Sequence, residues 1–373
     1  MYVVKKVQGV PFMRSSFTVR TSPYLHEFKF GDINSALNKN ANGHALRMNT
    51  ISAIKAALGE HLERVASTKN YSMALDDNNQ PHVPGFDLIT GEVKNIPAEK
   101  VFIEFSLPMF NHKENKHELF NDSCGLAAHI DSERAIEGGF KEFVERQSLV
   151  YNWLSRTEGE QIEVSEIKKH YKDNSQLSKI LKIAQIASDE FYCFNISIVK
   201  GLYVVLTYGF KGDAFSSGLG TDFSLEKAIE GSLNEYIMIL DSSYSLKAND
   251  NSYLDKRDVY VYNFHSLSVE EFKNRMSYLP NNKRKLDVKK ESSKHIINLK
   301  TALLEIKNKY KINIYACFLP FPLDGINVKV VKVFSPEGYP HIWTELFDPE
   351  EITITKELPS SKFPNKFMPV PFA

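Results

Sequence analysis

Ala135 to Leu149 reads AIEGGFKEFVERQSL, and two further stretches repeat its register: AIKAALGEHLERV at Ala53 to Val65 and AIEGSLNEYIMIL at Ala228 to Leu240. Set level on Glu142, Glu60 and Glu235, each copy has Ala seven residues earlier. Each has only Ala, Gly or Ser at the positions four and three residues earlier, and an apolar residue two before and two after the Glu. Apolar residues recurring at this spacing predict amphipathic helices. The small residues let each helix approach another element closely. A Gly-containing segment, read as a turn, precedes each copy: Asn42-Gly43-His44, Ser123-Cys124-Gly125 and Ser217-Gly218-Leu219-Gly220. The spacing of the copies is too wide for a solenoid repeat.

Outward from these helices, the chain alternates strands and helices. Val101 to Leu107, Phe191 to Val199, Leu202 to Phe210, Val259 to Phe264, Ile312 to Phe318 and Ile326 to Phe334 read as strands, with a hairpin about Lys200-Gly201. Ile51 to Ser67, Ser132 to Leu154, Ser224 to Leu240 and Lys294 to Tyr310 read as helices. The expected class is α+β, with mixed sheets and antiparallel pieces. Asp76 to Pro81 and Asn111 to Lys116 read as solvated loops or hairpin tips. The Lys-rich segment from Phe272 to Lys311 reads as a solvated helix face and loop, with peptide or phosphate binding as the alternative. Prolines at 349, 359, 364, 369 and 371 predict an extended strap after Phe347 rather than a helix.

Composition bounds the function. A chain of 373 residues has length for about two domains or one large one, with ample core. Lys plus Arg and Asp plus Glu both total 46, so a net charge of zero gives no global attraction for nucleic acid. Cys124, Cys193 and Cys317 are odd in number and far apart, fitting neither a disulfide framework nor a zinc site. No signal-peptide pattern opens the sequence, and no apolar run approaches the ~18 residues of a spanning helix. A reducing, cytoplasmic setting is the expectation, with no membrane partner.

The chemistry lies in the Glu-x-x-Glu-Arg runs Glu60 to Arg64 and Glu142 to Arg146. Residues three apart share a helix face, so Glu60 projects with Glu63, and Glu142 with Glu145. The bland alternative is a set of surface Glu–Arg pairs worth ~0.3–0.5 kcal/mol each. Recurrence in one register weakens it. Carboxylates crowded together either raise a pKa or bind a cation, and oxygen ligands suit Mg²⁺ shared with phosphate. Arg64 and Arg146 could then neutralise a polyphosphate with fork-shaped hydrogen bonds. No Walker, dinucleotide, zinc-peptidase or α/β-hydrolase motif is present. His44, His61 and His129 read as local hydrogen-bonding residues rather than catalysts.

Here the sequence resembles the YcaO family. Ser123 to Arg146, SCGLAAHIDSERAIEGGFKEFVER, looks like that family's central block. Ala53 to Arg64 and Ser217 to Glu235 resemble its earlier and later blocks, and Pro369-Val370-Pro371-Phe372-Ala373 its Pro-x-Pro tail. The resemblance implies a single catalytic unit over residues 1–373, with an ATP-binding core over about 40–250 and a C-terminal part over about 251–373. It also implies ATP and Mg²⁺ as cofactors. Glu60, Glu63, Glu142 and Glu145 would hold metal, with Arg64, Arg146, Arg134, Glu133 and Glu235 about the nucleotide. In azoline-forming members a Cys, Ser or Thr side chain attacks the preceding carbonyl, the oxyanion is phosphorylated by ATP, and phosphate departs with ring closure. Pro369, Pro371 and Ala373 would then be catalytic, the Ala373 carboxylate serving as a general base. Phe372 could anchor the tail by burial.

The sequence departs from the family pattern at Ala56 and Ala127, where many members have Ser, and at Ile130, where an Asn is usual. A further metal-associated Glu falls on Arg134, beside Glu133. The leading reading is a cyclodehydratase making thiazoline or oxazoline rings in a ribosomally made precursor peptide. Thioamide or amidine formation, and a non-catalytic nucleotide-binding accessory role, are the alternatives. About fifty residues precede Ile51, too few for a peptide-binding domain beside N-terminal strands. Leader-peptide recognition is therefore expected from a separate protein, with a flavin-dependent azoline dehydrogenase as a further partner.

Overall fold

A computed structural model describes residues 15–21, 28–35, 42–68, 74–75, 81–103, 122–248, 263–281, 284–319, 327–340, 342, 344–358 and 362–372. The chain divides into two compact units, Met1–Phe143 with Ile312–His341, and Val144–Lys311 with Ile342–Ala373. The division falls inside a helix and after Lys311. Residues 312–341 belong to the first unit because their strands pair within its larger sheet.

In the first unit, β1 (Ser15–Thr21), β2 (Lys29–Ser35) and β3 (Gly43–Arg47) form an antiparallel sheet covered by α1 (Thr50–Thr68). A second sheet combines β4 (Ala74–Leu75), β5 (Pro81–Asp87), β6 (Val93–Pro97) and β7 (Leu126–His129) with β12 (Tyr315–Leu319) and β13 (Lys329–Phe334). α2 (Ser132–Ser155) follows β7. In the second unit, β8 (Glu160–Gln161), β9 (Glu190–Asn195), β10 (Tyr203–Lys211) and β11 (Ala214–Asp222) form a sheet in the order β11-β10-β9-β8. α3 (Val164–His170), α4 (Ser175–Ala187) and α5 (Leu225–Ala248) belong to the same unit, α5 lying on β11 and β10. All three sheets are antiparallel where their strands pair, and with the helices they make an α+β fold.

β10 is an interior strand whose residues Tyr203 to Phe210 are all buried, which explains an apolar run without alternation. Its rings Tyr208 and Phe210 meet Phe272, and Phe272 stacks on Phe215 with centroids 4.4 Å apart. Burying Phe272 contributes ~2–3 kcal/mol. The hairpin expected at Lys200-Gly201 joins β9 to β10, with Gly201 at φ +80°.

Several expectations are corrected. Val101 to Ile103 form a turn after a short 3₁₀ segment rather than a strand, and residues 104–107 lie outside the described set. Asn263 and Phe264 are helical, and residues 259–262 lie outside. The loop at 111–116 and the tip at 76–80 also lie outside. The strap after Phe347 contains one helical turn, Thr353–Lys356. The glycine-containing segment Ser217 to Gly220 is no turn but the middle of β11, and Gly43 opens β3.

The reason is close packing. Gly43, Gly125 and Gly218 each stand seventeen residues ahead of the glutamate of their repeat. A Cβ on Gly43 would lie 2.0 Å from the Ala57 carbonyl oxygen of α1. One on Gly218 would lie 2.2 Å from the Tyr236 nitrogen of α5, and one on Gly220 2.2 Å from the Ala228 oxygen. In the first and third repeats a strand is thus laid directly on the helix that follows, glycine facing the small residues of the helix. Gly125 alone keeps the turn conformation, at φ +77° against the Val333 carbonyl. Replacing Gly43 or Gly218 with Ala is expected to cost about 3 kcal/mol through overpacking against backbone. Denaturant unfolding of each variant measures this, and a loss below about 0.5 kcal/mol would refute the packing argument.

Candidate magnesium–ATP site and C-terminal tail

Helix placement decides what each carboxylate can reach. In the first unit, Glu60 Oε2 accepts the His44 N–H of β3 at 2.7 Å, while Oε1 lies 3.7 Å from Arg64 Nη2. One turn on, Glu63 Oε1 accepts the Ala128 N–H of β7 at 2.8 Å. Glu63 retains slight residue exposure, yet its carboxylate is desolvated, and desolvation, with the Glu60 charge adding to it, pushes it up to about 8. The Ala128 amide and Arg64 oppose that shift without cancelling it. A carboxylate so placed favours either a proton or a cation. Glu142 is half-buried on α2.

In the second unit, Glu145 Oε2 accepts the Thr221 hydroxyl of β11 at 2.8 Å, and Oε1 lies 3.7 Å from Arg146 Nη2. Glu235 of α5 accepts the Leu219 N–H of β11, sixteen residues back, as Glu60 accepts that of His44. In the second repeat the equivalent amide, Leu126, donates instead to the Ser123 carbonyl. Arg134 and Glu133 are both exposed on the first turn of α2, and neither forms an ion pair among the described residues. Among the described residues, no three His, Cys, Asp or Glu side chains gather as a metal cage. Mg²⁺ needs no such cage, because it is held by one or two carboxylates with substrate phosphates and water. The oxygen donors, with Glu63 desolvated beside the Glu60 charge, fit that ion.

The tail is ordered against α2. Phe372 is 1% exposed and its ring lies beneath the Arg146 guanidinium, 5.4 Å from centroid to Cζ. Val370 and Pro371 are buried, Pro369 is half-buried, and Ala373 lies outside the described residues. The histidines behave as local hydrogen-bonding groups: His44 Nδ1 meets Asp32 Oδ1 at 3.0 Å, and His129 Nδ1 accepts the Asp131 N–H at 2.9 Å. The hydrogen bond to Asp32, more than the nearby charges, raises the His44 pKa. No cysteine is in a disulfide. Thr221 escaped the sequence reading, since it follows glycines taken for a turn. Its strand alternation with Leu219 was the available signal.

The chain as a whole is similar to known proteins. Residues 63–338 match the family described as YcaO cyclodehydratase, ATP- and Mg²⁺-binding. The chain belongs to the YcaO family. It is 26% identical over 268 residues to the microcin B17-processing protein McbD of Escherichia coli, a match covering 70% of this chain and 65% of that protein. The fold resembles a chain of the E. coli microcin synthetase McbBCD complex, with TM-score 0.71, 20% identity and 96% of each chain covered. It also resembles the Methanopyrus kandleri YcaO solved with AMPPCP and Mg²⁺, with TM-score 0.65 and 17% identity over 89% of this chain and 87% of that one.

Proposed function

We propose that this chain is an ATP-dependent cyclodehydratase that forms thiazoline or oxazoline rings from Cys, Ser or Thr residues of a ribosomally made precursor peptide. The observation that carries the reading is the tail packed along α2, with Phe372 seated on Arg146. Family membership and the microcin B17-processing relative support it. Glu60, Glu63, Glu142 and Glu145 supply oxygen ligands for Mg²⁺, and Arg64 and Arg146 meet phosphate. Arg134 and Glu133, exposed on α2, engage the nucleotide once it is bound, and Glu235 holds the strand that carries Thr221. Bound Mg²⁺ would offset the charge of the phosphates during transfer.

In the reaction, the side-chain thiol or hydroxyl adds to the preceding carbonyl and leaves an oxyanion. That oxygen takes the γ-phosphoryl group of ATP, which makes it a good leaving group. Phosphate departs as the ring nitrogen loses its proton and the C=N bond forms, leaving ADP, phosphate and the azoline. Pro369 and Pro371 stiffen the tail and so reduce the entropy lost in positioning Ala373 for the proton transfer. The whole chain acts as one catalytic unit in the cytoplasm. Among the described residues no helix is long and apolar enough to cross a membrane. A separate protein presents the leader peptide, and a flavin-dependent dehydrogenase oxidises the azolines. The protein, its precursor peptide and partners, and magnesium ATP together are expected to remove one water per ring by mass spectrometry, with one ADP released for each. ATP turnover without loss of water refutes ring formation, and ATP binding without turnover points to an accessory protein.

A further inference from the structure

The tail reaches Arg146 only because something fixes its register along α2, and one side chain is placed to do so. Asn365 is fully buried. Its Nδ2 donates to the Trp153 carbonyl at 2.9 Å, and its Oδ1 accepts Arg156 Nε at 2.9 Å. Its backbone N–H donates to the Leu154 carbonyl at 3.3 Å. Trp153 and Leu154 lie in the last turn of α2, where carbonyls lack helical partners. Arg156, just beyond that turn, stands at φ +48°. Asn365 is therefore the cap of α2, supplied from more than two hundred residues away in sequence. Three residues on, the Met368 carbonyl accepts both Trp153 Nε1, at 3.0 Å, and the Thr344 hydroxyl. Between these anchors Phe367 is held at φ +62° with its ring 53% exposed. Such a backbone in a bulky non-glycine residue costs ~1–2 kcal/mol and persists only where its surroundings impose it.

We infer that Asn365 is a positioning residue: it latches the tail to the C-terminal turn of α2 and so sets where Pro369 to Phe372 lie relative to Arg146. Phe372 alone does not fix that register, since an apolar ring over a guanidinium can slide, whereas Asn365 satisfies a donor and two acceptors at fixed points. The catalytic meaning of the latch rests on the proposed role of the tail in ring formation.

The test introduces Val370→Cys as a reporter, at a position that is 5% exposed. Reaction of this thiol with a water-soluble maleimide is followed in full-length protein, alone and combined with Asn365→Ala or Asn365→Asp. The Asp variant is isosteric and keeps the acceptor for Arg156 but loses the donor to Trp153. Labelling is expected to rise at least about tenfold with Ala and by less with Asp, while magnesium-dependent ATP binding changes less than about twofold, as local opening in a residue-level equilibrium predicts. Unchanged labelling in both variants overturns the latch. Faster labelling with undiminished ring formation leaves the latch standing and refutes the catalytic role of the tail, so the two failures are distinct. Should the variants not fold, native-state hydrogen exchange of the unaltered protein decides. The Trp153 indole, Asn365 and Phe372 N–H groups should open as one unit, and a Phe372 amide exchanging independently of the other two refutes the latch.

Discussion

Glu142→Gln is expected to lower magnesium-dependent ATP turnover at least about a hundredfold, equivalent to ~2.7 kcal/mol of lost transition-state stabilisation. The side chain keeps its shape and its hydrogen-bonding capacity but loses the charge that a hard cation requires. Because the residue is only half-buried, the thermal midpoint should move by no more than about 2 °C. Glu137 serves as the control. It lies on the same helix, is 42% exposed and pairs with Lys141 at 2.6 Å. Glu137→Gln should leave turnover unchanged. Normal turnover in Glu142→Gln, or equal losses in both variants, would sink the assignment of Glu142 to the metal.

Removing Pro371 to Ala373 should abolish ring formation while magnesium ATP still binds within about twofold of the parent affinity. The deletion takes away the buried Phe372 ring, so it should also cost about 3 kcal/mol of stability, as for other deleted core aromatics. Phe372→Leu separates the two effects, since it keeps most of the apolar volume and leaves the prolines in place. Partial activity in that variant, against none in the deletion, is the pattern expected of a positioned tail. Rings formed by the deleted protein at the parent rate would remove the tail from the chemistry.

What the sequence disclosed depended on whether a signal was local. The helices were legible because Phe140 and Val144 mark a buried side at helical spacing. On α1, Leu62 is buried beside Ala53 and Ala57, whereas Leu58, read as core-facing, is exposed. The largely apolar, buried β10 was also legible as a strand. β11 was not: Ser217-Gly218-Leu219-Gly220 has turn composition, and only the closeness of α5 explains why glycine is needed in an extended strand. Likewise the two Glu-x-x-Glu-Arg runs could be read, but their neighbours could not. The amide that Glu63 accepts comes from Ala128, sixty-five residues away, and a backbone group carries no sequence signature. Asn365 was invisible for the same reason, being ordinary in sequence and singular only beside the end of α2. The separation of residues 312–341 from the rest of the C-terminal part reflects sheet insertion, which composition cannot register.

The bonds from Glu60 to His44 and from Glu235 to Leu219 divide labour inside the repeated motif. The third copy keeps the first glutamate although Met238 and Ile239 stand where the other copies have a second Glu and an Arg. There the carboxylate ties a helix to the strand before it. A repeat of this kind can therefore keep its architecture where the second Glu and the Arg are absent.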